Sequence, residues 1–236
     1  MSARDAVETI KSFIEIGETI EELPQLTLPQ YQQAALELAK VSFKISKAIE
    51  IAMSWITCFS TFQFIRNPSI GIDQFGQLAG KYNNLRAGNT FKKLDFACGD
   101  IASIYNGPLQ NSLDTMFTDP SGSELDHVKA IFVKLSNSDN DMRAFVSEQI
   151  VDRLDSFVRD VQDILLDNNR DDFTKIKEAE NKKLQFTRES RNIREQLTRM
   201  NDALNELVLK FARKTGTGIS NIYEPKDFNE TGGGAC

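Results

Sequence analysis

The chain reads as all-α, an elongated antiparallel helical bundle or coiled coil with long helices, and three observations predict it. From Ile150 to Phe211, apolar residues recur at alternating steps of three and four, through Leu154, Phe157, Val161 and Ile164, then Ile176, Ala179, Phe186, Ile193, Leu197, Met200, Leu204 and Leu207. That spacing keeps one narrow stripe facing a partner helix. Six prolines and thirteen glycines are few for 236 residues and lie mostly between periodic stretches, so helices can run long. A makeup of 40% hydrophobic and 26% charged residues belongs to a folded chain rather than a disordered one.

Residues 3 to about 22 place Ala6, Ile10, Phe13, Ile14, Gly17 and Ile20 on one face of a helix that ends before Pro24. Its polar side is acidic, the wrong sign for a bilayer-inserting helix, so it is expected to pack on the body. With the turn EELPQLTLPQ it makes a first segment, 1–28. Pro29 suits the first turn of a second helix reaching about Ile65. The end of that helix, Ile51 to Ile65, carries no charge. A bilayer span needs roughly 20 residues, so this run is too short to cross alone and reads as a central core helix, or as a helix stored for release into a membrane.

Residues 66 to 90 read as a connecting loop and a short helix, and Thr90 to Phe117 as an amphipathic helix bent or broken at Gly107-Pro108. Ser121 or Ser123 can cap the next helix, with Glu124 and Asp126 in its first turn. From about Ser123 to Lys214 the pattern allows one helix or several, with candidate interruptions at 136–141 (SNSDND) and at the LDNNRDD run, where the seam takes a stutter of four plus four. Segment 29–214 is therefore the long-helix bundle, and 215–236 a flexible tail.

The predicted helix seam is Leu154, Phe157, Phe186, Ile193, Leu197 and Leu204. It also contains Lys183 and Ser190, so other helices of the chain or a second subunit must cover it.

Charge is unevenly placed. The net charge of −6 argues against a general nucleic-acid binder. Lys175 to Lys214 nevertheless holds eleven basic residues against six acidic ones, whereas Asp139 to Asp172 holds ten acidic against four basic. Either these are solvated faces that complement each other within or between subunits, or Lys175, Lys177, Lys182, Lys183, Arg188 and Arg191 form a basic tip that meets anionic lipid.

Little in the sequence converges on catalysis. The one histidine, His127, stands apart from any metal-ligand spacing and is expected at the surface. No phosphate-binding glycine loop and no nucleophile elbow is present. The expectation is a non-enzyme with no catalytic residues, no metal, no cofactor and no small-molecule substrate. Cys58, Cys98 and Cys236 are odd in number and widely spaced, which suits a reducing compartment, with Cys58 and Cys98 as small buried hydrophobes. With no signal-peptide pattern at the N-terminus, a cytoplasmic protein, peripheral to membrane at most, is expected, with the Asn229-Glu-Thr triplet unmodified.

Over Arg153 to Ser190, Leu154 and Phe157 lead into a Lys-rich helix with a basic, apolar and aromatic rhythm carried by Phe173, Ile176, Lys177, Lys182, Lys183, Leu184 and Phe186. This stretch resembles the second helix of BAR-domain proteins. The resemblance implies a banana-shaped antiparallel homodimer whose basic surface lies on curved anionic membrane, without a cofactor. The expected function is thus a non-enzymatic helical scaffold that binds or shapes anionic membranes. Two alternatives remain open: a membrane-perforating protein that uses Ile51 to Ile65, and an adaptor without lipid affinity whose seam recruits a helical protein partner.

Overall fold

The computed structural model describes residues 3–64, 67–87, 101–110 and 122–219. Among them every regular element is helical. The elements are α1 (Ala3–Glu22), α2 (Pro29–Thr61), α3 (Pro68–Ala87), a helical stretch at 101–106, α4 (Gly122–Val146), a π-helical turn (Ser147–Val151), α5 (Asp152–Leu166) and α6 (Asp172–Thr215).

α6 is the axis of the bundle. Its 44 residues extend about 66 Å at 1.5 Å per residue. Asp171 caps its start, accepting the Thr174 N–H at 2.9 Å and the Thr174 hydroxyl at 2.7 Å. Gly216 closes it in the left-handed conformation at φ 64°, with Arg213 and Lys214 in the last turn to complement the helix dipole.

Polar contacts fix the direction of each neighbour. α1 runs parallel to the C-terminal half of α6: Gly17 lies on Leu207 and Lys210, Glu21 pairs with Lys210 at 3.4 Å, and the Leu26 N–H donates to the Lys214 carbonyl at 2.8 Å. α2 runs the opposite way along α6, from Thr215 back to about Lys183. The Gln32 amide donates to the Thr215 carbonyl at 3.2 Å, the Ser42 hydroxyl to Asn205 Oδ1 at 2.5 Å, and Lys183 Nζ to the Phe62 carbonyl at 2.7 Å. α4 lies antiparallel to α1, with Ser12 and Ser138 Oγ atoms 2.6 Å apart and Lys134 3.3 Å from Glu15. α5 returns along the N-terminal half of α6, where Phe157 stacks on Phe186 at 4.3 Å. α3 covers α5 and α2 through Tyr82, which donates to Asp155, and Phe75, which packs on Phe59 and Phe157.

All six seam residues are buried, and the same chain covers them. Phe13, Ile16 and Ile20 of α1 and Leu26 after it join the same core. Within the α2–α6 contact, Ser42 and Ser46 meet Asn201 and Asn205, a polar insert whose directed bonds favour one register over a sliding apolar seam.

Four expectations are corrected. The 66–90 region is dominated by a full helix, α3, despite its glycines, because Phe75, Ala79 and Tyr82 bury one face at helical spacing. The SNSDND run stays inside α4, since Ser138 and Asp139 are buried and Ser138 bonds to α1. The irregularity instead falls at 147–151, where the π-turn brings the adjacent residues Ile150 and Val151 both into the core. α2 ends at Thr61 rather than near Ile65. Finally, Cys58 is buried, but in a disulfide rather than as a thiol. The pairing removes Cys58 as a free thiol from the argument for a reducing setting.

Cys98, Cys236, Ile65, the candidate cap Ser121, most of Thr90 to Phe117, and the tail from residue 220 lie outside the described residues, and the other candidate cap, Ser123, falls within the first turn of α4. Within 101–110 the helix does give way to a turn at 107–110. A Cβ at Gly107 would lie 2.8 Å from the Ser103 carbonyl oxygen, so only glycine fits there.

Candidate functional site

The six basic residues expected to meet lipid do not share a face. An α-helix turns 100° per residue, which sends Lys175, Lys182 and Lys183 inward toward α2 and α5. Lys175 is buried, with Nζ 3.8 Å from Asp172. Lys182 reaches Asp160 on α5 at 3.0 Å. Lys183 is 12% exposed, pairs with Glu180 at 2.7 Å and donates to the Phe62 carbonyl. Lys182 and Lys183 thus tie α6 to α5 and to the end of α2, while Lys175 pairs within its own helix, and all three are engaged inside the bundle.

Lys177, Arg188 and Arg191 lie on the opposite side, exposed. None of them makes an ion pair among the described residues, and exposed Arg194 beside them makes none either. The carboxylates nearby are all engaged: Glu178 with Arg170, Glu180 with Lys183, Glu189 with Arg153, and Glu195 with Arg199. The same flank carries two large apolar side chains, Phe173 at 75% and Leu184 at 49% exposure. Leu166, at the other side of the turn, is 70% exposed. That turn is braced by Arg170, which bonds to both Asp167 and Glu178.

A groove of about 340 Å³ between α5 and α6 has Phe157 and Phe186 in its lining. Both of its cations are paired, Arg153 with Glu189 at 2.6 Å and Lys182 with Asp160 at 3.0 Å, and Glu148 and Asp152 also line it. This leaves no surplus positive charge for an anion to meet.

The apolar run of α2 is stored in the core. Ala52, Trp55, Ile56, Cys58 and Phe59 are buried, and Phe59 meets Tyr82, Phe75 and Phe157 in tilted or edge-on ring contacts. Among the described residues no helix is long and apolar enough to cross a membrane, and no group of three or more His, Cys, Asp or Glu is placed to hold a metal ion. His127 is exposed, beside an apolar groove between α1 and α4.

Sequence reasoning had Phe173 and Leu184 only through a family rhythm, and it missed Leu166 and Arg194. Helical phase separates Lys177, Arg188 and Arg191 from Lys175, Lys182 and Lys183, whereas Arg194 is nearly in phase with Lys183 and only the structure shows it exposed. Neither a protein-family model, a curated protein nor a solved structure matches the chain.

Proposed function

We propose that the chain is a non-enzymatic, elongated helical scaffold that attaches peripherally to anionic membrane through the outer flank of the N-terminal half of α6. One observation carries this reading: Lys177, Arg188, Arg191 and Arg194 are exposed and unneutralised, while the neighbouring carboxylates are engaged elsewhere. Each cation near an anionic surface contributes about 1 kcal/mol. Phe173 and Leu184 stand among them and gain up to roughly 1.5–3 kcal/mol each on full burial. The stretch from Phe173 to Arg194 is about 32 Å long, so the helix lies along the surface rather than entering it. The resemblance to BAR helices agrees in kind, a basic helix against anionic lipid, although half of the cations it suggested are turned inward.

Co-sedimentation with phosphatidylserine-containing vesicles, against vesicles of phosphatidylcholine alone, tests the proposal. Binding should require the anionic lipid, weaken in raised salt, and fall at least about a hundredfold in Lys177→Glu/Arg188→Glu/Arg191→Glu, from roughly 1 kcal/mol per cation. Phe173→Ser should weaken it further without touching the salt dependence. Equal binding to both vesicle types, or binding indifferent to the triple reversal, would overturn the reading.

A further inference from the structure

The exposed flank of α6 continues past the free cations. Leu184 opens an exposed stripe and Leu209 closes it, at 49% and 48% exposure. Arg188 and Arg191 follow the first leucine, and Asp202 and Glu206 precede the second, with Glu195 and Arg199 between them. Successive steps of four, three, four, four, three, four and three hold all of them on one face, and every one is exposed.

The order of this stripe is the same from either end, with the charges inverted. Consider an antiparallel copy related by a two-fold axis crossing between Gln196 and Leu197. It sets Leu184 against Leu209, Arg188 against Glu206, Arg191 against Asp202 and Glu195 against Arg199. A parallel copy in register would instead set each charge against itself. Arg188, Arg191 and Asp202 make no ion pair among the described residues, and Glu206 only shares Lys210, at 3.5 Å. Glu195 and Arg199 pair within the helix at 2.7 Å, both more than half exposed, a contact readily exchanged for one across a partner.

From this charge complementarity we infer that a second copy of the chain occupies the α6 flank, antiparallel, over about 38 Å of helix. Such an interface is isologous: each contact occurs twice and the assembly closes at two. The inner seam of Leu197 and Leu204 takes no part, because the chain's own helices cover it. Exposed ion pairs contribute little apiece, so the dimer is weak, concentration-dependent and sensitive to salt. Resting on the membrane reading above, it also has a regulatory consequence: Arg188 and Arg191 serve one occupant at a time, so self-association hides the membrane-binding flank. This differs from the dimer that the BAR resemblance implies, which carries its basic surface to the bilayer.

Sedimentation velocity of the full chain without lipid, over a concentration series at low and raised salt, tests the pairing. The wild type should shift from monomer to dimer with concentration, and salt should reverse the shift. Arg188→Glu/Arg191→Glu and Asp202→Lys/Glu206→Lys should each stay monomeric with unchanged circular dichroism. An equimolar mixture of the two should dimerise again, because their reversed charges complement each other. A wild type that is monomeric up to its highest soluble concentration, or a dimer that persists through both reversals, overturns the inference. The vesicle assay separates it from the membrane reading: Asp202→Lys/Glu206→Lys should bind anionic vesicles at least as well as the wild type. Charge-dependent dimers without vesicle binding would support the pairing and sink only the membrane reading.

Discussion

At Tyr82 a fully buried phenol donates to Asp155 Oδ1, and Arg86 braces the same carboxylate at 3.1 Å. Burial first, then the bond to Asp155, pushes the Tyr82 hydroxyl well above its ordinary range; burial and the nearby charge of Glu124 do the same for Tyr31. A group whose folded pKa is raised holds its proton more tightly in the folded state. Its contribution is therefore fully present below the unfolded value near 10 and is lost as pH rises through the folded one. Of the four tyrosines, these two should show no phenolate absorbance until the protein unfolds in alkali, which a spectrophotometric titration followed in parallel with circular dichroism will read. Tyr82→Phe should lower unfolding stability toward the low end of about 1.5–3 kcal/mol, because Asp155 retains Arg86 and water as partners. Early, stepwise ionisation of all four tyrosines would place Tyr82 outside the core.

Helix α3 shows where periodicity was legible and where composition obscured it. Gly71, Gly76 and Gly80 lower its intrinsic helicity, and a stretch so rich in turn-forming residues reads as a loop with a short helix. Burial of Phe75, Ala79 and Tyr82 against α2 and α5 overrides that local preference. In α5 and α6 the two signals agree, and the six seam residues, two on α5 and four on α6, could be named from spacing alone because no glycine or proline interrupts either helix. The π-turn at 147–151 had no such signal, since it arises from packing both Ile150 and Val151 inward rather than from a helix-breaking residue. Gly76 offers a direct test of the tertiary override: a Cβ there meets nothing within 4 Å. Gly76→Ala should therefore raise stability by roughly 0.5–1 kcal/mol, through the lower entropy of the unfolded chain. Denaturant unfolding will read the change as a higher midpoint at unchanged slope. A destabilised variant would show that α3 needs its glycine there.

For the molecule as a whole, the division of the basic stretch decides between bundle and surface. Counted along the chain, Lys175 to Arg191 is one basic block; turned about the helix axis, Lys182 and Lys183 face α5 and α2, while Arg188 and Arg191 face outward. Only the helical phase separates the two sets, and the apolar seam that fixed this phase was already visible in the sequence. Two double reversals should therefore behave oppositely. Lys182→Glu/Lys183→Glu places a carboxylate against Asp160 and another, nearly buried, against the Phe62 carbonyl and Glu180. It should cost about 2–4 kcal/mol, less than the roughly 3–5 kcal/mol of breaking a fully buried pair because these partners are part-exposed. Arg188→Glu/Arg191→Glu touches no ion pair of the monomer and should leave its stability within about 0.5 kcal/mol. Thermal unfolding of dilute protein, where association is absent, measures both. Vesicle binding should show the reverse pattern at temperatures where both variants are folded: retained by the inward reversal and lost by the outward one. An outward reversal that unfolds the bundle, or an inward one that abolishes vesicle binding while leaving stability unchanged, would exchange the roles assigned to the two faces of α6.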